Sequence, residues 1–252
     1  MLFFKKKQKE TFSFMDIGLT ADVHSHILPG VDDGSQDAEE SVAILEEMHR
    51  LGIRKVIFTP HVSRSMFPNS AADLQARFEA FIPTLPETLR QDMRFHLASE
   101  YMVDEFFAAS SDRLRWPDGR HILIEMSYYQ RSREIRDEIF NLQMEGMLPV
   151  LAHPERYVFY QKVFDKKKGV AELEDFFDAG CKLQLNVMSL TGAYGEGSMA
   201  ILRWLLDHDM YSFLGTDVHA RRQIDHFNGL QITAAQLDKV RQLARNNETL
   251  FG

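Results

Sequence analysis

Residues 19–26 read LTADVHSH, an apolar stretch that runs into two histidines, His24 and His26. The same arrangement recurs five more times, where a short apolar run ends in a histidine or a carboxylate. These stretches are VIFTPH (56–61), FHLASE (95–100), HILIE (121–125), PVLAHPER (149–156) and FLGTDVH (213–219). Such short apolar runs predict buried strands, and the polar residue then falls at the carboxyl end of each strand.

The polar residues at these ends are candidate metal ligands. Residues two apart on a strand point to the same face, so His24 with His26, and Asp217 with His219, can be aimed at one point. A lone histidine is more often a core or surface residue than a ligand, but eight candidates at equivalent strand ends and a ninth in the adjoining loop favour a metal site. The nine, with Asp33 from the loop after the first strand, are His24, His26, Asp33, His61, Glu100, Glu125, His153, Asp217 and His219.

Segments with helical periodicity lie between the strand-like runs. A seventh run, KLQLNVMS (182–189), fits the same spacing but ends without an obvious ligand. Alternating strands and helices predict parallel strands with crossover helices. We therefore predict an α/β fold, a seven-stranded parallel β/α barrel like a TIM barrel, with the nine candidates at the carboxyl-terminal rim where active sites of such barrels lie.

The helices are predicted from apolar periodicity and end signals. The first begins near Ser35 or Asp37, either of which is a good N-cap, and ends at Gly52. The other helices are predicted to span roughly 71–90, 131–146, 169–179, 196–209 and 233–246.

Length and composition bound the class of protein. A chain of 252 residues has the size of one β/α barrel, so we expect an N-terminal tail over 1–18 and a single domain over 19–252. No apolar run reaches the roughly 20 residues that a membrane span needs. The tail combines Leu2, Phe3 and Phe4 with Lys5–Lys7, which allows a weak contact with a membrane surface.

Charge and cysteine content exclude other classes. A net charge of −8 argues against nucleic acid as a partner, because phosphate-backbone binding needs clustered Lys and Arg. The single cysteine, Cys181, rules out an internal disulfide framework and fits a reducing compartment, which predicts a cytoplasmic location. A thiol-based phosphatase is also a poor match, since KLQLNV after Cys181 supplies no phosphate-binding loop. The sequence does not indicate an oligomeric state.

The donor set suggests the reaction. Imidazole and carboxylate without thiolate suit Mn, Fe or Zn. Nine ligands are too many for one ion, whereas two or three ions that share a carboxylate are typical of hydrolases acting on phosphate esters. Because guanidinium groups bind phosphate bidentately, Arg156, Arg221 and Arg222 are candidate substrate contacts, and we favour Arg156 in the sequence HPER.

Five motifs carry a resemblance to a known family: DVHSHILPGVDDGS (22–35), TPH (59–61), LIE (123–125), LAHPERY (151–157) and GTDVHA (215–220). They resemble the motifs of the PHP (polymerase and histidinol phosphatase) superfamily, and within it the bacterial metal-dependent protein-tyrosine phosphatases linked to capsule and exopolysaccharide synthesis. The resemblance runs from about residue 22 to about residue 220. It implies a distorted seven-stranded β/α barrel with a centre of three metal ions, usually described with manganese.

The resemblance also implies a role for each residue. His24, His26, Glu100 and Asp217 would hold one ion, and Glu100 would bridge to a second ion that Glu125 and His153 also hold. Asp33, His61 and His219 would hold the third. Arg156 would bind the phosphate, and Arg221 and Arg222 lie where this branch often has basic residues.

The expected reaction is hydrolysis of phosphotyrosine, and the resemblance implies a bacterial tyrosine kinase as the phosphorylated partner. The predicted mechanism is in-line attack by a metal-bridging hydroxide, with Arg156 stabilising charge on the phosphoryl oxygens. The leaving phenolate, whose acid has a pKa of about 10, needs little protonation, and His61 or a metal-bound water could supply it. Two alternatives stay open: a small-molecule phosphatase of the histidinol-phosphate type, and a non-catalytic regulator that binds phosphotyrosine.

The segment SRSMFPNSAA (63–72) departs from better-known members, since it carries one arginine and little other basic character. It is expected to border the pocket. Its Met66 and Phe67 could flank an aromatic ring of the substrate or could simply anchor the loop.

Overall fold

The computed structural model describes residues 11–109 and 112–252. Within them the apolar runs form short strands, and all of their pairings are parallel. The strands are β1 (Ala21–Asp22), β2 (Lys55–Phe58), β3 (His61–Val62), β4 (Arg94–Leu97), β5 (Glu100–Met102), β6 (His121–Glu125), β7 (Leu148–Ala152), β8 (Lys182–Asn186) and β9 (Tyr211–Gly215). They lie in a three-stranded sheet of order β1-β2-β4 and a six-stranded sheet of order β3-β5-β6-β7-β8-β9.

The prediction of seven strands in one barrel differs from these nine strands in two sheets. Two predicted strands are each interrupted once, so that β2 and β3 come from one run and β4 and β5 from another. Pro60 has no N–H to give to a ladder, which favours a break there. Hydrogen bonds nevertheless cross the breaks, from Ala98 N to Phe58 O at 2.8 Å and from Glu100 N to Pro60 O at 3.1 Å.

Helices alternate with the strands as predicted, except between β5 and β6, where the described residues form no α-helix. The helices are α1 (Ala38–Arg50), α2 (Ala71–Phe81), α3 (Glu87–Asp92), α4 (Ile135–Met144), α5 (Val158–Val163), α6 (Ala171–Asp178), α7 (Gly195–Asp207), α8 (Arg221–Ile224) and α9 (Ala234–Glu248). Of the two predicted starts of α1, the structure uses Asp37, whose carboxylate accepts a hydrogen bond from Glu40 N.

Two differences from the predicted helices have simple causes. The helix predicted over 71–90 is two helices, α2 and α3, because Pro83 and Pro86 interrupt it. The short helices α5 and α8 were not predicted, since four to six residues are too few to show a periodic apolar face.

The interior of the strands is filled by apolar side chains. Val23, Ile57, Leu123, Val150 and Phe213 are buried together in one cluster, and a larger cluster lies between the strands and the helices. The carboxyl ends of the strands therefore lie next to a packed apolar core. Across the described ranges, no helix is both long and apolar enough to cross a membrane.

Part of the predicted N-terminal tail is packed on this core. Phe12 pairs with Leu230 in an isolated antiparallel bridge, and the buried Phe14 stacks on Phe227 with ring centroids 5.4 Å apart. Burial of the Phe14 and Ile17 side chains stabilises the packing of residues 12–17 on the core. The predicted membrane-surface residues, 2–7, lie outside the described residues.

Candidate metal centre

All nine candidate ligands converge at the carboxyl ends of the strands. Three overlapping groups have ligand atoms within 4.8 Å of one another: His24, His26, Glu100 and Asp217; His26, Asp33, His61 and His219; and His61, Glu100 and Glu125. His153 adjoins them, with Nε2 3.1 Å from Glu100 Oε1. Because the groups share members, they form one continuous cluster, which we call the ligand cluster.

The first group has the geometry of a cation site. His24 Nε2 and His26 Nε2 lie 3.1 Å apart, and both lie 3.3 Å from Asp217 Oδ1. Glu100 Oε2 lies 3.1 Å from the first of these nitrogens and 3.3 Å from the second. All four side chains are buried. Two imidazoles and two carboxylates that converge out of contact with water need positive charge between them.

Hydrogen bonds on the outer side of the rings favour metal binding. His24 Nδ1 lies 2.8 Å from Gln184 Oε1, and His26 Nδ1 lies 2.9 Å from Asp32 Oδ2. His219 Nδ1 lies 2.9 Å from the carbonyl oxygen of Asp217, a group that can only accept. Each Nδ1 therefore donates outward, which leaves the Nε2 lone pair free for an ion. The residues present thus fit a metal cluster.

Three residues that support the ligands were not singled out in the sequence. Asp32 accepts hydrogen bonds from His26 Nδ1 and from the backbone N–H groups of Gly34 and His61, at 2.9 to 3.0 Å. Gln184 and Asn186 lie two apart on β8, and Asn186 Nδ2 donates to Asp217 Oδ2 at 2.7 Å. The seventh run thus supplies no ligand but two supporting amides. The sequence feature that could have indicated these two residues is the alternation of polar side chains with leucines in a buried strand.

We expect Asp32→Asn to weaken metal binding by about 10-fold to 100-fold, the usual effect of losing such a supporting group. Both carboxylate oxygens accept N–H bonds, and asparagine would turn an NH₂ group towards one of these donors. Titration of chelator-stripped protein with Mn²⁺ measures the change. Asp178→Asn, on an exposed position of α6, is the matched control, and equal affinities of the two variants would contradict the supporting role.

The ligand cluster has strongly shifted pKa values. Burial lowers the pKa of His26, but Asp32 and Asp217 outweigh burial and hold this pKa well above its usual range. Burial likewise raises the pKa of Glu100, but the adjacent histidines, His24 first, hold it well below its usual range. In the metal-free cluster Glu100 therefore stays ionised, whereas His24 and His26 take up protons. A metal ion must displace those protons.

We expect Mn²⁺ to bind more tightly as the pH rises from 6.5 to about 9. Burial and the nearby His26 lower the pKa of His61, but Glu125 and Glu100 outweigh them and raise it from 6.5 to about 9. Since a raised pKa keeps the proton on the His61 ring, metal binding releases this proton in this window, and release from His61 stops above it. Calorimetry in buffers of different ionisation enthalpy measures affinity and proton release together. A pH-independent affinity would contradict the expectation.

The backbone is strained at two of the candidate ligands. The backbone φ values of His153 and Asp217 are 35° and 53°. Residues other than glycine rarely adopt this left-handed region. Each follows the end of a strand, and hydrogen bonds to Gln184 O and His24 O hold the two backbones in place. Strain that is held in this way is typical of functional sites.

Of the three candidate arginines, Arg156 lies at the ligand cluster. Its guanidinium forms an ion pair with Asp217 and lies between two rings, 4.5 Å from the centroid of Tyr128 and 4.3 Å from that of Tyr194. Only 16% of its side chain is exposed. These contacts hold a preorganised positive charge at the edge of the cluster.

Among the residues that the structure describes, Arg221 and Arg222 make no hydrogen bond or ion pair with the ligand cluster. Arg221 forms ion pairs with Glu47 at 2.8 Å and with Asp225 at 2.9 Å, which direct it towards α1. Arg222 is exposed and makes no hydrogen bond or ion pair with another residue in the described ranges. Both arginines are close to the ligand His219 in sequence, but the side chain of Arg221 points away from the ligand cluster.

A cleft of about 770 Å³ opens on the ligand cluster at Asp33, His61 and Glu125. The loop expected to border the pocket does so, since Met66 and Phe67 line the cleft. Phe67 stacks on His61 with ring centroids 5.3 Å apart, whereas Met66 is 61% exposed. Phe67 thus packs on a candidate ligand while it lines the cleft, and the side chain of Met66 is largely exposed there.

Comparison with known proteins places these motifs in a family. Residues 20–241 match the sequence model of the family described as capsular polysaccharide synthesis, CpsB/CapC. The chain is 30% identical over 206 residues to the tyrosine-protein phosphatase CpsB of Streptococcus pneumoniae, a match that covers 79% of this chain and 82% of that protein.

Two solved structures share the fold. One, from work on YwqE of Bacillus subtilis and CpsB of Streptococcus pneumoniae, described as metal-dependent tyrosine phosphatases, has a TM-score of 0.74 at 23% identity and covers 92% of this chain and 94% of that chain. The other, a histidinol phosphate phosphatase of Lactococcus lactis with zinc, L-histidinol and phosphate, has a TM-score of 0.51 at 14% identity and covers 91% of this chain and 94% of that chain. At these identities the likeness concerns the fold alone.

Proposed function

Because the chain belongs to the CpsB/CapC family of capsular polysaccharide synthesis, we propose that it is a metal-dependent protein-tyrosine phosphatase. The observation that carries the proposal is the ligand cluster, in which three overlapping groups of imidazoles and carboxylates meet beside Arg156. Relatives named tyrosine-protein phosphatase, including CpsB of Streptococcus pneumoniae, support the reaction class.

We assign the ligands to three ions, with manganese as the preferred metal and iron or zinc as alternatives. His24, His26, Glu100 and Asp217, which form one group, would hold the first ion. Glu100 would bridge to a second ion held by Glu125 and His153, and Asp33, His61 and His219 would hold the third. His61 also belongs to the group of Glu100 and Glu125, and His26 belongs to the group of Asp33. Each of these two histidines would therefore lie near two of the ions.

The protein's own groups would position and stabilise the phosphate ester. Metal ions at such sites activate water as a nucleophile and neutralise phosphoryl charge. Arg156 would bind the phosphoryl oxygens through its guanidinium fork once Asp217 is engaged as a ligand. The packed apolar core and the burial of the ligand cluster would exclude bulk water, and this exclusion would strengthen the charge interactions with the phosphate.

Two roles predicted for His61 compete for its ring nitrogens. Nδ1 lies 3.0 Å from Glu125 Oε1 and 3.2 Å from Glu100 Oε2, and Nε2 lies 3.5 Å from Asp33 Oδ1. Both nitrogens thus face carboxylates of the cluster. This geometry supports the role of His61 as a ligand over its role as a proton donor, and a phenolate leaving group needs little protonation.

We also propose that the two sheets act as one distorted seven-stranded barrel in a single domain over 19–252. A parallel bridge between Ser25 and Val218, and a hydrogen bond from Asp217 N to His24 O at 2.8 Å, link the first strand to the last. A hydrogen bond from Thr59 N to Ser25 O at 2.8 Å continues the link to the second. These contacts would bring ligands from both sheets to one rim.

The substrate we propose is a phosphotyrosine protein, with a bacterial tyrosine kinase of capsule or exopolysaccharide synthesis as the partner. The family description supports the connection with capsule synthesis. The proposed cytoplasmic location rests on the single cysteine, Cys181, which is free and buried.

Chelator-stripped protein, assayed before and after addition of Mn²⁺, tests the proposed function. The substrates are a phosphotyrosine peptide, a phosphoserine peptide and histidinol phosphate. Manganese-dependent turnover confined to phosphotyrosine is the expected result. A preference for histidinol phosphate would replace the substrate while keeping the metal centre, and no turnover at all would favour a phosphotyrosine-binding regulator.

A further inference from the structure

The cleft extends from the ligand cluster along the chain that follows β6. Residues 127–134, which we call the rim segment, all line it. The rim segment carries two arginines, Arg131 and Arg133. Met66, Asp104 and Glu105 also line the cleft, from other segments of the chain. Beyond the cluster ligands Asp33 and Glu125, the charged residues of the cleft are therefore Arg131, Arg133 and Glu134 along the rim segment and the acidic pair at 104–105.

Neighbouring tyrosines of the rim segment have opposite environments. Tyr128 is anchored, since its carbonyl oxygen accepts a hydrogen bond from Val158 N at 2.9 Å and its ring lies on Arg156. Tyr129 is 82% exposed, the largest exposed fraction among the large apolar side chains of the described residues. Together with the exposed Met66, it leaves apolar surface at the cleft beside a charged site.

Arg133 differs from the arginines around it. Arg131 pairs with Glu172, and Arg136 on α4 pairs with Asp175 at 2.5 Å. Arg133 makes no ion pair within residues 11–109 and 112–252. The nearest carboxylate in sequence, that of Glu134, instead accepts the backbone N–H of Arg133 at 3.0 Å and the hydroxyl of Ser132 at 3.2 Å. The Arg133 guanidinium is thus available to an external anion.

We propose that the rim segment binds the substrate polypeptide beside its phosphotyrosine, with Arg133 pairing to an acidic residue and Tyr129 packing on an apolar one. This inference rests on the proposed function and adds a sequence preference to it. Asp104 and Glu105 repel acidic residues elsewhere in the cleft, so the acidic residue is favoured only on the side of Arg133. An exposed pair of this kind changes affinity by roughly threefold to tenfold when one charge is reversed.

The test compares wild-type protein with Arg133→Glu in the presence of Mn²⁺. Two phosphotyrosine peptides of equal length, one flanked by glutamates and one by lysines, are the substrates. The control substrate is p-nitrophenyl phosphate, a small aryl phosphate without flanking residues. Arg77→Glu, an exposed position of α2 outside the cleft, is the matched control for net charge. We expect Arg133→Glu to raise KM for the glutamate-flanked peptide by roughly threefold to tenfold. Turnover of p-nitrophenyl phosphate should stay unchanged.

The outcomes separate this inference from the proposed function. Equal losses on both peptides, or the same loss in Arg77→Glu, would overturn the role of Arg133, as would a loss of p-nitrophenyl phosphate turnover. If wild-type protein hydrolyses none of the three substrates, the proposed function fails. Fluorescence anisotropy of the two labelled peptides on wild-type protein and Arg133→Glu then decides the rim preference by itself.

Tyr129→Ser should raise KM for both peptides and leave turnover of p-nitrophenyl phosphate unaffected.

Discussion

Glu100→Gln is expected to lose bound metal and activity together while the chain stays folded. Glu100 Oε2 lies 3.1 Å from His24 Nε2 and 3.2 Å from His61 Nδ1, and Oε1 lies 3.1 Å from His153 Nε2. A neutral amide of the same shape removes the negative charge at the point where the groups meet, and its NH₂ group cannot hold an ion. We expect kcat/KM to fall by roughly 10³-fold or more, since metal ions supply several kcal/mol of transition-state stabilisation.

Metal content and folding are measured on the same preparation of Glu100→Gln. Inductively coupled plasma spectrometry counts ions per chain, and circular dichroism reports whether the helices are retained. Glu46→Gln, at an exposed position of α1, is the control and should match wild-type protein. Full activity of Glu100→Gln with fewer ions per chain would contradict the three-ion assignment.

Arg156→Ala is expected to keep its metal and to lose about 10²-fold to 10³-fold in kcat, the usual effect of removing one preorganised charge donor. Asp217 should keep its place, because Asn186 Nδ2 donates to it at 2.7 Å and its backbone N–H is bonded to His24 O. The loss should therefore appear in the chemical step and not in metal content. Turnover of p-nitrophenyl phosphate and a metal count measure the two separately.

Arg156→Lys distinguishes charge from shape at the same position. Lysine keeps the positive charge but loses the planar fork and the stacking between Tyr128 and Tyr194. An activity between those of wild-type protein and Arg156→Ala is expected. If Arg156→Ala lost metal as well as turnover, its ion pair with Asp217 would be a structural requirement of the cluster, and the assigned phosphate role would be wrong.

The strand and ligand positions could be read from local patterns. Each apolar run that ends in His or Glu became a strand or a strand pair, because a buried parallel strand needs apolar side chains on both faces. The nine candidate ligands then meet because carboxyl ends of parallel strands share one edge. The helix predicted over 71–90 was wrong in its length, since Pro83 and Pro86 divide it.

The supporting residues were harder to predict because their roles depend on distant partners. Gln184 reaches His24 across 160 positions of sequence, and Asn186 reaches Asp217 across 31. Asp32 and Asp33 are adjacent and chemically identical, yet one is buried against His26 and the other is exposed near His61. Neither periodicity nor residue type distinguishes such neighbours.

The sequence by itself determined the alternation of strands and helices, the end of the strands that carries the site, and the imidazole and carboxylate chemistry of its ligands. These features follow from local apolar patterns and from residue types. Only the tertiary structure decided which ligands group together, that Arg156 contacts the cluster while Arg221 pairs with Glu47 and Asp225, and that Arg133 makes no ion pair among the described residues. Those properties depend on side-chain direction and on contacts between residues far apart in the chain, where the burial of charge selects one arrangement.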